Sequence, residues 1–120
     1  MSNYPQTLDY MLAAWNEADS ERVRGHLEQA LAANVRFVDP SIDLSGIDEF
    51  EANVHKVRDA LPGAVYSRTS GVDSHHHFYR YHWAIHQNGD LVIAGFDVAE
   101  TDDSGLVTCV IGFFGPVPEL

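Results

Sequence analysis

The dipeptide Asn88-Gly89 lies between two long runs of strand-forming residues, His76 to Gln87 and Leu91 to Ala99. Asn and Gly tolerate the positive φ that a two-residue loop between right-twisted strands requires, so this pair marks a tight antiparallel hairpin. A hairpin alone is marginal in water, so these strands need further strands and a second layer to pack on. The loop also sets a register, with Arg80 opposite Asp97, His82 opposite Gly95, Trp83 opposite Ala94 and Ala84 opposite Ile93. Side chains alternate along a strand. One face then carries His76, Phe78, Arg80, His82, Ala84, Ile93, Gly95 and Asp97, and the other carries Tyr79, Tyr81, Trp83, Ala94, Phe96 and Val98.

The second layer comes from the first half of the chain. Leu8, Met11, Leu12, Trp15 and Ala18 recur at helical spacing after Pro5, which suits a first turn. Asp19-Ser20 breaks and caps, and Val23, Leu27, Ala30 and Leu31 form the stripe of a second helix that stops at Asn34. Val35 to Pro40 reads as a strand ended by a proline. Ser45 has capping-box spacing to Asp48 and opens a third helix carrying Ile47, Phe50, Val54, Val57 and Leu61. Pro62-Gly63 ends it. Strands follow over Ala64 to Val72, His76 to Gln87, Leu91 to Ala99 and Leu106 to Phe114, with turns at Asp73-Ser74 and Asp102 to Gly105. Helices first and a four-strand meander after them predict a single α+β domain, an antiparallel sheet curled over its helices.

Eighteen Asp and Glu stand against seven Lys and Arg, a formal charge of −11. Such a surface cannot neutralise a phosphate backbone, and it is repelled by anionic membranes, so nucleic acid and membrane are excluded as partners. Cys109 is the only cysteine, which excludes an intrachain disulfide and a thiolate zinc cluster. Met1 to Pro5 has neither the basic nor the apolar region of a secretory leader, and no apolar run approaches the length of a membrane span. The expected location is the cytoplasm.

Both hairpin faces are rich in apolar side chains, which a sheet with one face in water does not need. In this register the helix-covered face carries Arg80, His82 and Asp97, and buried charges need partners or a purpose. Arg80 and Asp97 form either a structural ion pair or a clamp in which Asp97 orients Arg80 toward an oxygen. His82 is either a core histidine bonded to a backbone carbonyl or a general acid or base. The aromatic face, with Tyr79, Tyr81, Trp83 and Phe96, is expected to form a homodimer interface. His75, His76 and His77 alternate between faces and cannot converge on one ion, so no metal site is expected. No activated Ser or Cys emerges, and no cofactor is implied.

Trp15-Asn16-Glu17-Ala18-Asp19, Val35 to Pro40, the Ser45-Gly46 helix start and Gly112-Phe113-Phe114-Gly115 together resemble the NTF2-like superfamily from about Gln6 to Gly115. Its enzymes include SnoaL-like polyketide cyclases, ketosteroid isomerases and limonene-epoxide hydrolases. The resemblance implies an α+β cone around an apolar pocket, walled by Trp15, Phe37, Phe50, Val54, Phe78, Val110 and Phe114. Asp39 matches the proton-shuttling base of ketosteroid isomerases, and Asp97 matches the neutral aspartic acid that donates to the dienolate oxygen. Trp15 stands where those enzymes have a helix-one tyrosine. The epoxide-hydrolase set is incomplete, with Arg80 at its arginine position but His82 and Gly112 where aspartates belong. The implied function is a cofactor-independent acid/base isomerase or cyclase acting on a small hydrophobic carbonyl compound. In it Asp39 or His82 takes the proton, and Arg80, held by Asp97, stabilises the enolate. The alternative is a non-catalytic module for small-molecule binding or dimerisation.

Overall fold

The computed structural model describes residues 3–120; Met1 and Ser2, the start of the segment read for a leader, lie outside it. The elements run α1 (Thr7–Asn16), α2 (Ser20–Ala30), β1 (Leu31–Asp39), β2 (Ile42–Ser45), α3 (Ile47–Ala60), β3 (Val65–Arg68), β4 (Asp73–His75), β5 (Phe78–Gln87), β6 (Asp90–Thr101) and β7 (Val107–Phe114). The strands form one sheet in the order β2-β1-β7-β6-β5-β3, with β4 pairing on β5. The expected α+β cone is present, three helices against a curved sheet. The sheet is mixed, because β1 runs parallel to β7.

Local chemistry accounts for most boundaries and for three departures from expectation. Asp19 caps α2 by accepting the Glu21 N–H at 3.0 Å. Asn34 does not stop α2: β1 begins at Leu31, which is buried, and Asn34 falls in the irregular stretch of β1 between Leu31 and Arg36. Ser45 is not the cap of α3; Gly46 takes that position at φ 88°, and the Ser45 N–H donates instead to the Glu49 carboxylate at 2.8 Å. Asp73-Ser74 is not a turn but part of β4.

The hairpin turns at Asn88 and Gly89, both with positive φ (53° and 84°). Gln87 pairs with Asp90 and His86 with Leu91, as the two-residue loop requires. Val92 is then an extra residue on β6, and from Ile85 opposite Ile93 onward every pair is displaced by one. A one-residue bulge sends all later side chains to the opposite face. Tyr81 therefore pairs with Asp97, Trp83 with Gly95, and Arg80 with Val98. Tyr79, Tyr81 and Trp83 pack toward the helical core, whereas Phe78, Arg80 and His82 lie outside with Phe96 and Val98.

The displaced register has its own steric logic. A Cβ on Gly95 would stand 2.7 Å from the Trp83 ring and 2.0 Å from the Phe113 carbonyl oxygen, so only glycine lets the indole lie across β6 here. The core beneath the sheet joins Leu8, Met11, Val23, Leu27, Phe50 and Val54 of the helices to Val35, Phe37, Tyr81, Ala99, Val107 and Val110 of the strands. Burying each larger side chain contributes about 1.5–3 kcal/mol. Among the described residues no helix is long and apolar enough to cross a membrane.

Candidate active site

Helices α1 and α3 do not fill the concave side of the sheet completely. They leave a cavity of about 230 Å³ walled mainly by apolar side chains, among them Leu8, Met11, Trp15, Phe37 and Phe114. Three charged residues line it: Asp39, Arg68 and Asp97.

Asp39 ends β1, where Pro40 stops the strand. Its Oδ1 accepts the Ser41 N–H at 2.8 Å, the Ser41 hydroxyl at 2.8 Å and the Ile42 N–H at 3.1 Å. This is the aspartate turn that a strand-ending Asp-Pro favours, and it fixes the carboxylate at the cavity wall. Oδ2 makes no hydrogen bond among the described residues.

Asp97 lies in the middle of β6, between Tyr81 on β5 and Gly112 on β7. Its Oδ1 accepts the Trp83 indole N–H at 2.9 Å, and its Oδ2 accepts a long bond from the Tyr81 hydroxyl at 3.4 Å. Burial pushes the carboxyl up to about 7; the Trp83 and Tyr81 bonds oppose that rise, and the nearby charge of Asp39 adds to it. Burial, reinforced by Asp97, also holds the Tyr81 phenol well above its ordinary value. Near neutral pH the protonated and ionised forms of Asp97 are thus comparably populated, which suits proton transfer.

Gly112 brings the two carboxyl groups together. A Cβ there would come within 2.9 Å of Asp97 Oδ1 and 3.3 Å of Asp39 Cβ, so the glycine leaves a notch that both aspartates border. The parallel pairing of β1 with β7 and the antiparallel pairing of β7 with β6 set this geometry.

The structure places other candidates elsewhere. Arg80 does not meet Asp97: its Nε donates to Asp73 Oδ2 at 2.8 Å on the outer face, where both side chains are exposed. His82 is likewise exposed, its ring edge-on to Phe96. Both departures follow from the Val92 bulge. Trp15, Phe37 and Phe114 line the cavity, but Phe50, Val54 and Val110 are buried in the core behind it, and Phe78 lies outside. Tyr79, Tyr81 and Trp83 cannot form an outer interface, being turned inward; of that set only Phe96 faces out. Arg68 enters the site without having been singled out, and Tyr81 and Trp83 enter it from the face that was assigned to a dimer interface. The one sequence signal for Trp83 was the small Gly95, which accommodates the indole only in the displaced register.

No family model matches the sequence, and no curated protein matches it. Among solved structures, a protein from Agrobacterium tumefaciens str. C58, described provisionally as an isomerase of the SnoaL-like family, is 34% identical. The match covers 92% of this chain and 96% of that one, with a TM-score of 0.86. The chain belongs to the SnoaL-like family. More distant structures share the fold of this SnoaL-like protein. An NTF2-like protein of unknown function from Exiguobacterium sp. 255-15 is 17% identical over 92% of this chain and 99% of that one, with a TM-score of 0.76. A protein from Jannaschia sp. CCS1, described provisionally as a SnoaL-like polyketide cyclase, is 13% identical over 95% and 90%, with a TM-score of 0.70.

Proposed function

We propose that this SnoaL-like protein is a cofactor-independent acid/base isomerase or cyclase for a small hydrophobic carbonyl compound held in the cavity. The observation that carries the reading is the pair of carboxyl groups at the Gly112 notch in unlike environments. Asp97 is lifted to about 7, whereas Asp39 is fixed by three donors on one oxygen. A carboxyl raised by burial beside a second one anchored at the cavity wall can divide acid and base roles with it.

The Asp39 carboxylate takes a proton from the carbon beside the substrate carbonyl. Protonated Asp97 donates a hydrogen bond to the oxygen as it gains enolate charge, while the Trp83 N–H holds the other Asp97 oxygen. Asp39 then returns its proton to a different carbon, which completes an isomerisation. Alternatively, the enolate carbon bonds to a second carbonyl carbon and the alkoxide so formed takes the proton from Asp39, which completes a cyclisation and restores the carboxylate. The apolar walls exclude water and strengthen both interactions. Arg80 and His82 have no part in this scheme, since neither borders the cavity.

Exchange of substrate α-protons in D2O, followed by NMR across small cyclic ketones, tests the reading. Asp39→Asn is expected to slow exchange at least about a hundredfold, the usual contribution of a positioned base. Undiminished exchange in both Asp39→Asn and Asp97→Asn would refute it. The commitment of Asp39 Oδ1 to a turn favours the second reading, a ligand-binding module without catalysis. Thermal stabilisation by ketones with no exchange would establish that module instead.

The outer sheet face supports a homodimer. Phe96 and Phe113 stack there at 5.0 Å, with Phe113 50% and Ile111 42% exposed. Light scattering is expected to give twice the 13.3 kDa chain mass.

A further inference from the structure

Arg68 is the one cation lining the cavity among the described residues, and its surroundings define what it can bind. It ends β3 opposite Trp83 on β5, so its stem leaves the sheet on the concave side. Its guanidinium lies 5.0 Å from the centre of the Tyr4 ring and 5.7 Å from that of Tyr81. Stacked on two aromatic faces, it is confined to a plane. All its hydrogen bonds leave from Nη2, one to the Tyr4 hydroxyl at 3.1 Å and one to Asp9 Oδ1. Nε and Nη1 make none among the described residues, although a guanidinium carries five N–H donors.

Tyr81 links this group to the reacting end, with one ring face toward Arg68 and its hydroxyl on Asp97. The charge balance around Arg68 is also defined. Asp9 already neutralises it, Asp39 and Asp97 line the same cavity, and the whole chain carries −11. A ligand carboxylate would gain little from a cation that is already paired, and it would face two aspartates across a partly dry cavity.

We propose that Arg68 is a specificity residue that donates Nε–H or Nη1–H to a second, uncharged oxygen of the ligand, so that the cavity selects neutral dioxygenated compounds over carboxylic acids. The proposal rests on the cavity being the ligand site, as in the reading above, and adds the substrate class. Suitable ligands are diketones, keto esters and keto alcohols with their two oxygens at opposite ends of an apolar body. One oxygen meets Asp97 and the other meets Arg68.

Three probes at pH 6 separate these terms: acetophenone with one oxygen, methyl 4-acetylbenzoate with a neutral second group, and 4-acetylbenzoate, which is an anion at that pH. Trp15 and Trp83 line the cavity, so quenching of their fluorescence reports binding. The ester is expected to bind about tenfold or more tighter than acetophenone, as a charged donor to a neutral acceptor allows. The acid is expected to be the weakest of the three. In Arg68→Met the ester's advantage over acetophenone disappears, and Arg68→Lys, without the planar fork, retains only part of it. In Asp9→Asn, with Arg68 unpaired, the acid gains at least about fivefold relative to the ester. An ester advantage that survives Arg68→Met overturns the proposal, as does an acid that outbinds the ester in the unmodified protein. If Arg68→Met does not fold, Asp9→Asn decides: no gain for the acid overturns it. If acetophenone binds but the Arg68 effects are missing, only this proposal fails, whereas no binding by any probe defeats the cavity reading itself.

Discussion

Asp97 makes the folded protein sensitive to pH in a direction opposite to that of an ordinary paired carboxylate. In the unfolded chain its carboxyl titrates near 3.8, and in the folded cavity burial lifts it to about 7. Between those values the folded state binds more proton than the unfolded one, so stability falls as pH rises through this window. With 1.36 kcal/mol for each tenfold change in proton affinity, the ionised form is disfavoured by about 4 kcal/mol above pH 7 as an upper bound. Asp97→Asn removes that penalty while keeping an oxygen for the Trp83 N–H. Urea unfolding of the unmodified protein and the variant at pH 5 and pH 8 measures it. Subtracting one from the other cancels the titration of all groups they share. The variant is expected to gain on the unmodified protein by one to a few kcal/mol between pH 5 and pH 8. The depressed carboxyls of Glu17, Asp43, Glu51 and Asp102 act in the opposite sense and only at more acid pH, where their contribution is lost as they protonate. A difference that does not change with pH, or one that moves against the variant, would refute the assignment of Asp97 as the buried, raised carboxyl.

Gly112→Ala is expected to cut turnover more than tenfold with little loss of stability. Its Cβ would lie 2.9 Å from Asp97 Oδ1, and the carboxyl must shift; steady-state kinetics beside a melting curve checks both. Trp83→Phe removes the indole N–H that holds Asp97 down, so the pH profile of turnover should move upward, and an unmoved profile would count against that bond. Arg80→Ala and His82→Ala should leave turnover within about twofold, because both side chains are exposed on the outer face; a large loss in either would revive the discarded register. Gly95→Ala places a Cβ 2.0 Å from the Phe113 carbonyl oxygen and is expected to lower the melting temperature by at least about 10 °C, given roughly 4–8 °C per kcal/mol for a domain of this size.

The helices, the tight turn and the strand-ending Asp39 were legible because each depends on neighbouring residues: apolar spacing, a dipeptide that tolerates positive φ, a proline. Which face of the hairpin meets the helices was not. That depends on Val92, whose bulge has no marker in a run of Leu91, Val92 and Ile93 where any residue fits a strand. The error propagated wholesale, because alternation converts a shift of one residue into an exchange of faces. Asp39 and Asp97 still reached the cavity, Asp39 because β1 carries no such shift near its end. Asp97 did so because it faces the helices in either register; the displacement changes its company, putting Tyr81 and Trp83 on its face in place of Arg80 and His82. Arg68 was out of reach of sequence reasoning, since its role comes from the stacking of Tyr4 and Tyr81 from two distant segments.

The parallel pairing of β1 with β7 carries a consequence for how the chain assembles. β7 follows every other strand in chain order, yet it sits between β1 and β6 in the middle of the sheet. Until it arrives, β1 and β6 each expose an unpaired edge, and the Gly112 notch has no floor. Such edges are templates for other chains. A ribosome-bound or truncated chain ending before Val107 is therefore expected to be adhesive, with neither a closed sheet nor the Gly112 notch, and both are completed in the same late step.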